Sequence, residues 1–168
     1  MSAELLKRQG YLINHKKVKR LMKENNLLHP QTIKPEPLNK VFIRYTVPPL
    51  DGPFKTIEAD IKYIYIHEQD RNAFLITFLC TFCRYTPVWA LEYTMPAKEI
   101  KNLVTDLTSH PVVRENLDQN TIIMIRTDNG PQFIARILAS ALDELGLNHE
   151  FINPGTPQQN AHIESFHS

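Results

Sequence analysis

Two cysteines in 168 residues are too few for a disulfide framework. Cys80 and Cys83 have the C-x2-C spacing of half a zinc site, but neither a second Cys pair nor a suitably spaced His pair accompanies them. They read as two small apolar residues, one in a buried strand and one in the turn after it, kept reduced. Long apolar runs are also lacking. The longest, Ala73–Cys83, is interrupted by Thr77 and Thr81 and is too short to cross a bilayer. The first eight residues, Met1-Ser-Ala-Glu-Leu-Leu-Lys-Arg8, have no apolar centre, so no secretory leader is expected. A soluble cytoplasmic protein with no membrane partner follows. A strong net charge is missing too, at +1 overall, but that figure hides an asymmetry. Residues 1–50 hold ten Lys/Arg against three Asp/Glu, and residues 51–168 hold nine against fifteen. A basic arm suits a polyanionic partner, and an acidic body suits metal ions or simple solvation.

What is present divides into three parts. With 42% hydrophobic and 22% charged residues, the chain can bury one core of ordinary size beside a small accessory segment. Residues 1–28 read as a small helical hairpin: Gly10 ends one helix and Asn14 caps the next. In that second helix Val18, Leu21 and Met22 share a face, while Lys16, Lys17, Lys19, Arg20 and Lys23 cover much of the rest. Such a helix suits a DNA groove, and a solvated basic face explains the same pattern equally well. Residues 29–53 hold six prolines without sustained periodicity and read as a linker. Within it, Val41–Tyr45 permits a short extended clip, and Lys34, Lys40 and Arg44 permit a segment tracking phosphates.

From Phe54 onward the pattern is one of strands and helices. Thr56–Ile66, Ala73–Cys80 and Thr86–Leu91 read as three consecutive antiparallel strands. A helix over Ala97–Ser109, a strand at Ile122–Arg126, a helix over Phe133–Leu145 stopped by Gly146, a strand at His149–Ile152 and a last helix from near Gln158 follow. The order β-β-β-α-β-α-β-α predicts an α/β domain over 54–168, a mixed sheet flanked by helices.

Three carboxylates stand out in this frame. Asp60 interrupts an apolar strand, where an ionised side chain is costly to bury without a partner, although Glu58, Asp60 and Lys62 equally suit a solvent face. Asp128 follows the apolar Ile122–Ile125, at the carboxyl end of a strand where ligands of sheet proteins commonly sit, and Asp128-Asn-Gly130 also suits a plain turn. Glu164, with 35 residues between it and Asp128, lies on a helix entered through Pro154-Gly-Thr-Pro157. Either it completes a metal site while Gln158 and Asn160 touch DNA, or it is an exposed residue in a helix started by Thr156 and Pro157. Three converging carboxylates can hold two divalent cations, which clamp the attacking and leaving oxygens of an in-line phosphoryl transfer.

The combination is more specific than its parts. Asp60 in its strand, Thr127-Asp-Asn-Gly130, the D-x35-E spacing and the string from Pro154 to Ser165 together resemble the catalytic core of retroviral integrases and, more closely, of bacterial insertion-sequence transposases. Upstream, Ile13–Leu27 resembles the helix-turn-helix segment that precedes that core. The resemblance implies a ribonuclease-H-like fold, two Mg2+ or Mn2+ ions held by Asp60, Asp128 and Glu164, DNA as substrate, and a homo-oligomer when intact. In such chemistry water first attacks a phosphodiester, and the freed 3′-hydroxyl then attacks target DNA. It also implies an earlier helix and a continuation after Glu164 with basic residues, so a copy shortened at both ends is expected. Two other readings stay open: a DNA-binding segment without catalysis that competes with intact transposase, and a ribonuclease H or junction nuclease of the same fold.

Overall fold

Asn14 starts α1 (His15–Glu24), its side chain accepting the Lys17 N–H at 3.1 Å as the sequence predicts. The computed structural model describes Gly10, residues 14–27, 38–44 and 52–168. These fall in two units, Met1–Pro37 and Leu38–Ser168. In the first unit Val18 is buried, whereas Leu21, expected on the same apolar face, is 39% exposed. Lys16, Lys17, Lys19, Arg20 and Lys23 are all exposed, with Arg20 3.6 Å from Glu24 one turn on. The helix expected before Gly10 lies outside the described residues, as do Lys34 and Tyr45.

The second unit is built around β1 (Thr56–Ile66), whose first half is closed to water on both faces: Ile57, Glu58 and Ala59 are wholly buried. β2 (Arg71–Cys80) pairs antiparallel with β1, and β3 (Val88–Glu92) antiparallel with β2. On the other side β4 (Met124–Thr127) runs parallel to β1, and β5 (Asn148–Phe151) parallel to β4. The order β3-β2-β1-β4-β5, three antiparallel strands followed by parallel ones, is the expected ribonuclease-H-like sheet. Cys80 ends β2 in the core and Cys83 lies exposed in the following turn.

One face of the sheet carries the apolar core. Ile57, Ala59, Ile76, Phe78 and Ile125 pack with Ile100, Val104 and Leu107 of α2 (Ala97–Thr108), Val113 of α3 (Pro111–Asp118), and Leu138 and Leu142 of α4 (Arg136–Glu144). Each such side chain contributes about 1.5–3 kcal/mol by leaving water. The opposite face carries α5 (Ala161–His167), laid along β1. Because side chains alternate along a strand, β1 gives Ile57 and Ala59 to the core and Glu58 and Asp60 to α5.

Several expectations need correction. α3 lies where no element was foreseen; its start is marked by Pro111 at the first position, but Val113 alone is fully buried, too little to print a period on the sequence. α4 begins at Arg136 instead of Phe133, and Ile134 and Ile137, 37% and 45% exposed, face outward because Leu138, Ala141 and Leu142 set the buried stripe. The last helix begins at Ala161; Pro157–Asn160 is a separate 3-10 turn. The linker expected over 29–53 is divided. Leu38 onward belongs to the second unit, where Phe42 bridges parallel to Phe151 and the Ile43 N–H donates to the Phe151 carbonyl at 3.1 Å.

His149 on β5 has its Nε2 2.9 Å from the Thr127 hydroxyl and its ring 4.2 Å from that of Phe151. Burial, and secondarily the Lys40 charge, lower its pKa from 6.5 to about 4. The unfolded chain therefore takes up a proton that the folded chain refuses, so stability is full above pH 6.5, falls as the pH drops toward 4, and levels below that. Urea unfolding between pH 7 and 5 should show a loss approaching 1.4 kcal/mol per pH unit at its steepest, which His149→Gln should flatten.

Candidate active site

Asp60, Asp128 and Glu164 come to one end of the α5 face. Asp128 follows β4 directly, one step beyond the Ala59–Thr127 pair, which sets it beside Asp60 across the parallel ladder. Its Oδ1 accepts the Gly130 N–H at 2.8 Å in an Asx turn, and a Cβ on Gly130 would stand 2.9 Å from the same oxygen, so a larger residue there would make the Asp128 carboxylate shift. Glu164 is exposed in the first turn of α5. Burial raises the Asp128 pKa, opposed by the Gly130 N–H, with the Asp60 charge pushing it up further and Lys40 holding it down. Glu164 is raised by burial, then by Asp60 and then by Glu58. Asp60 is thus the hub: its charge reaches both of the others.

Asp60 also has a partner. His167 Nδ1 lies 3.2 Å from Asp60 Oδ2, and its Nε2 lies 2.6 Å from the hydroxyl of Thr77, the β2 residue opposite Asp60. A carboxylate only accepts, so Nδ1 carries the hydrogen of that contact. Lys62, two residues on, donates to the His167 carbonyl. Among the described residues no three His, Cys, Asp or Glu side chains are grouped closely enough to hold a metal ion as they stand. The donor chemistry nonetheless fits a hard divalent cation, since all three candidates offer carboxylate oxygens. Asp60 would have to exchange His167 for it.

Beneath these groups, two residues earlier on each strand, lies a buried ion cluster. Arg126 donates through Nε and Nη2 to Glu150 Oε1 at 2.8 and 2.6 Å, stands 3.6 Å from Glu58 Oε1, and donates through Nη1 to the Gln159 carbonyl at 3.2 Å. Glu58, Arg126 and Glu150 are paired in register on neighbouring strands and almost wholly excluded from water. Glu58 also accepts the Ile163 N–H at 2.8 Å and faces His162 Nδ1 at 3.1 Å.

Comparison with known proteins settles the kinship. Residues 51–157 match the family model described as the integrase core domain. The chain belongs to that family. The matched stretch contains Asp60 and Asp128 and stops short of Glu164. A 42-residue stretch, 25% of this chain, is 50% identical to an uncharacterized 39.2 kDa protein of insertion element IS476 from Xanthomonas euvesicatoria and covers 12% of that protein. The fold resembles a chain of the simian T-cell lymphotropic virus intasome in complex with a PP2A regulatory subunit, with a TM-score of 0.57 and 14% identity over 99% of this chain and 54% of that one. It also resembles the catalytic domain of Mos1 mariner transposase, with a TM-score of 0.54 and 16% identity over 68% of this chain and 58% of that one.

Of the residues the sequence nominated, Asp128 and Glu164 both come within reach of the Asp60 charge. Gln158 is exposed nearby, but Asn160 is 2% exposed, its Oδ1 without a hydrogen-bond partner. The DNA contact expected of Asn160 is therefore closed to its side chain in this conformation. Thr156 stands at the capping position of the 3-10 turn with Pro157 next, as expected, but its hydroxyl makes no capping bond: it donates to the Asn153 carbonyl at 2.6 Å and to Gln159 Oε1 at 2.8 Å, closing the loop on itself. Lys16, Lys17, Lys19, Arg20 and Lys23 belong to the other unit. Sequence reasoning passed over Arg126, Glu150 and His167 and read Glu58 as a solvent-facing residue. Lys40, read only as part of a segment tracking phosphates, donates to Asn129 Oδ1 at 2.8 Å beside Asp128. The signal for the cluster was partial: Arg126 closes the apolar run Ile122–Ile125, whereas Glu58 shares β1 with Asp60 and Lys62, and Glu150 shares β5 with Asn148 and His149. Asp60→Asn should lower the pKa values of both Asp128 and Glu164 in metal-free buffer, measurable by carboxyl-carbon NMR titration; unchanged values would show that the three do not share a field.

Proposed function

We propose that this chain is the catalytic core of an insertion-sequence transposase that cuts and joins DNA strands, with Asp60, Asp128 and Glu164 holding two Mg2+ or Mn2+ ions. The observation that supports this reading is that the charge of Asp60 on β1 reaches both Asp128, at the end of β4, and Glu164 on α5, in a chain of the integrase core family. When bound, the cations would neutralise charge developing on the transferring phosphodiester and align its attacking and leaving oxygens. The protein's own part is placement. Asp60 and Asp128 are fixed by adjacent strands, the Gly130 N–H orients the Asp128 carboxylate, and Lys40 stands where a phosphate oxygen beside Asp128 would meet a positive charge. No covalent link to the protein is needed, because a water or 3′-hydroxyl attacks the phosphorus directly.

The basic face of α1 is proposed to hold the DNA sequence-independently through Lys16, Lys17, Lys19, Arg20 and Lys23, with Gln158 as a contact near the chemistry. A homo-oligomer brings two DNA ends together.

Millimolar Mn2+ at about 100 times its Kd should stabilise the protein by about 2.7 kcal/mol, or about 5–10 °C in Tm, and Asp128→Asn should shrink that gain. Joining of pre-cleaved ends with free 3′-hydroxyls should require Mn2+ and Glu164. A Tm indifferent to Mn2+ in both forms, together with DNA binding, would instead favour a DNA-binding segment without catalysis. For α1, changing Lys16, Lys17, Lys19 and Arg20 to Ala in the full chain should flatten the plot of log affinity against log salt by about 0.9 for each phosphate that is no longer neutralised. An unchanged slope would place the DNA elsewhere.

A further inference from the structure

α5 is seven residues long, and a helix so short is marginal without outside support. Its first-turn N–H groups have no partners within the helix, and Asn160, at its capping position, makes no side-chain capping bond. The support comes from across the sheet. Glu58 Oε2 takes the Ile163 N–H at 2.8 Å, a bond spanning 105 residues, and Ile163 is the residue before Glu164. Glu58 Oε1 is shared between His162 and Arg126. Arg126 reaches in turn to the carbonyl of Gln159, in the turn that leads into α5.

We propose that Glu58, braced by Arg126, is a positioning residue for Glu164: it caps α5 from β1 and so sets where the third carboxylate stands relative to the other two. The proposal rests on the reading of Asp60, Asp128 and Glu164 as the cation-holding set. The periodicity of the sheet carries it. Glu58 lies two residues before Asp60 on β1, and Arg126 two residues before Asp128 on β4, on the same face and in register with each other. A single buried pair is therefore one pleat away from both strand carboxylates and one hydrogen bond away from the residue beside the helical one. An apolar pair in those places would pack the sheet as well, but it would leave the first turn of α5 uncapped. Errors of about 1 Å in such a site cost on the order of a hundredfold in rate, so a fixed reference shared by all three carboxylates has a function beyond stability.

Two substitutions separate anchoring from mere charge. Glu58→Gln removes the charge but keeps an oxygen of the same reach for the Ile163 N–H; Glu58→Asp keeps the charge but withdraws the oxygen by one methylene. The readout is Mn2+ affinity of the full chain, by titration followed by electron paramagnetic resonance, below the Tm of each variant. Anchoring requires that Glu58→Gln stay within about threefold of the unaltered chain and Glu58→Asp weaken binding tenfold or more. In a Glu164→Gln background, Glu58→Asp should then change affinity less than twofold, since the residue it positions is already gone. The reverse order, with Gln harmful and Asp harmless, would assign Glu58 a purely electrostatic effect and overturn the proposal. So would unchanged affinity in both variants, or effects of Glu58→Asp and Glu164→Gln that simply add, as a general loosening of the fold produces. If the unaltered chain and Glu164→Gln titrate alike with Mn2+, the carboxylate reading itself fails and the positioning proposal falls with it.

Discussion

The pairing of Arg126 with Glu150 and Glu58 is the interaction on which the placement of α5 against the sheet depends. Three charged groups sit side by side on β5, β4 and β1, where an ordinary sheet would place aliphatic side chains. Desolvating them is expensive, and their mutual attraction offsets that cost only while the geometry holds. The arrangement is consequently intolerant: losing one member leaves a buried charge without compensation, a penalty of about 3–5 kcal/mol in comparable cases. An apolar layer would tolerate a small slide of helix on sheet, but an ion cluster with directed hydrogen bonds does not. The face of the sheet that must be placed most accurately is held by its least forgiving interaction, and the face that need only exclude water is packed with Ile, Leu, Val and Phe.

β1 lies between these two regimes. Along four consecutive residues it alternates Ile57 and Ala59, which belong to the core, with Glu58 and Asp60, which hold α5. Lys62 continues the series, so that three successive residues of one face each engage α5 or its end. The strand is at once the middle of the sheet and the track on which the helix is laid.

Much of this was legible in the residues. The succession of elements and the three antiparallel strands followed from short apolar runs separated by turns, while the ribonuclease-H-like arrangement of the sheet followed from the family resemblance. Asp60 was visible as a charge inside an apolar strand, and Asp128 as a carboxylate at the carboxyl end of another. What was not legible came from interactions without a period. α3 buries one side chain completely and so leaves no stripe. Leu38–Arg44 looked like a linker because prolines flank it, yet its pairing partner, Phe151, lies more than a hundred residues away, a relation no local window contains. Glu58 was misjudged for a related reason. A carboxylate next to Asp60 and Lys62 looks solvent-facing until Arg126 and the Ile163 N–H are known to arrive from elsewhere in the chain.

The segment at 38–44 also changes what the sheet can do with its neighbours. By bonding to Phe151 through the Val41 carbonyl and the Ile43 N–H, it occupies backbone groups that β5 would otherwise present as a bare edge. Unpaired edges recruit foreign strands and invite stacking of one sheet onto another. Among the described residues this leaves β3, only five residues long, as the other outermost strand. So short an edge gives an incoming strand little to zip against. The sheet is in this sense partly self-limiting: on one side Phe151 is already paired, and on the other the edge is too brief to seed a ribbon of copies.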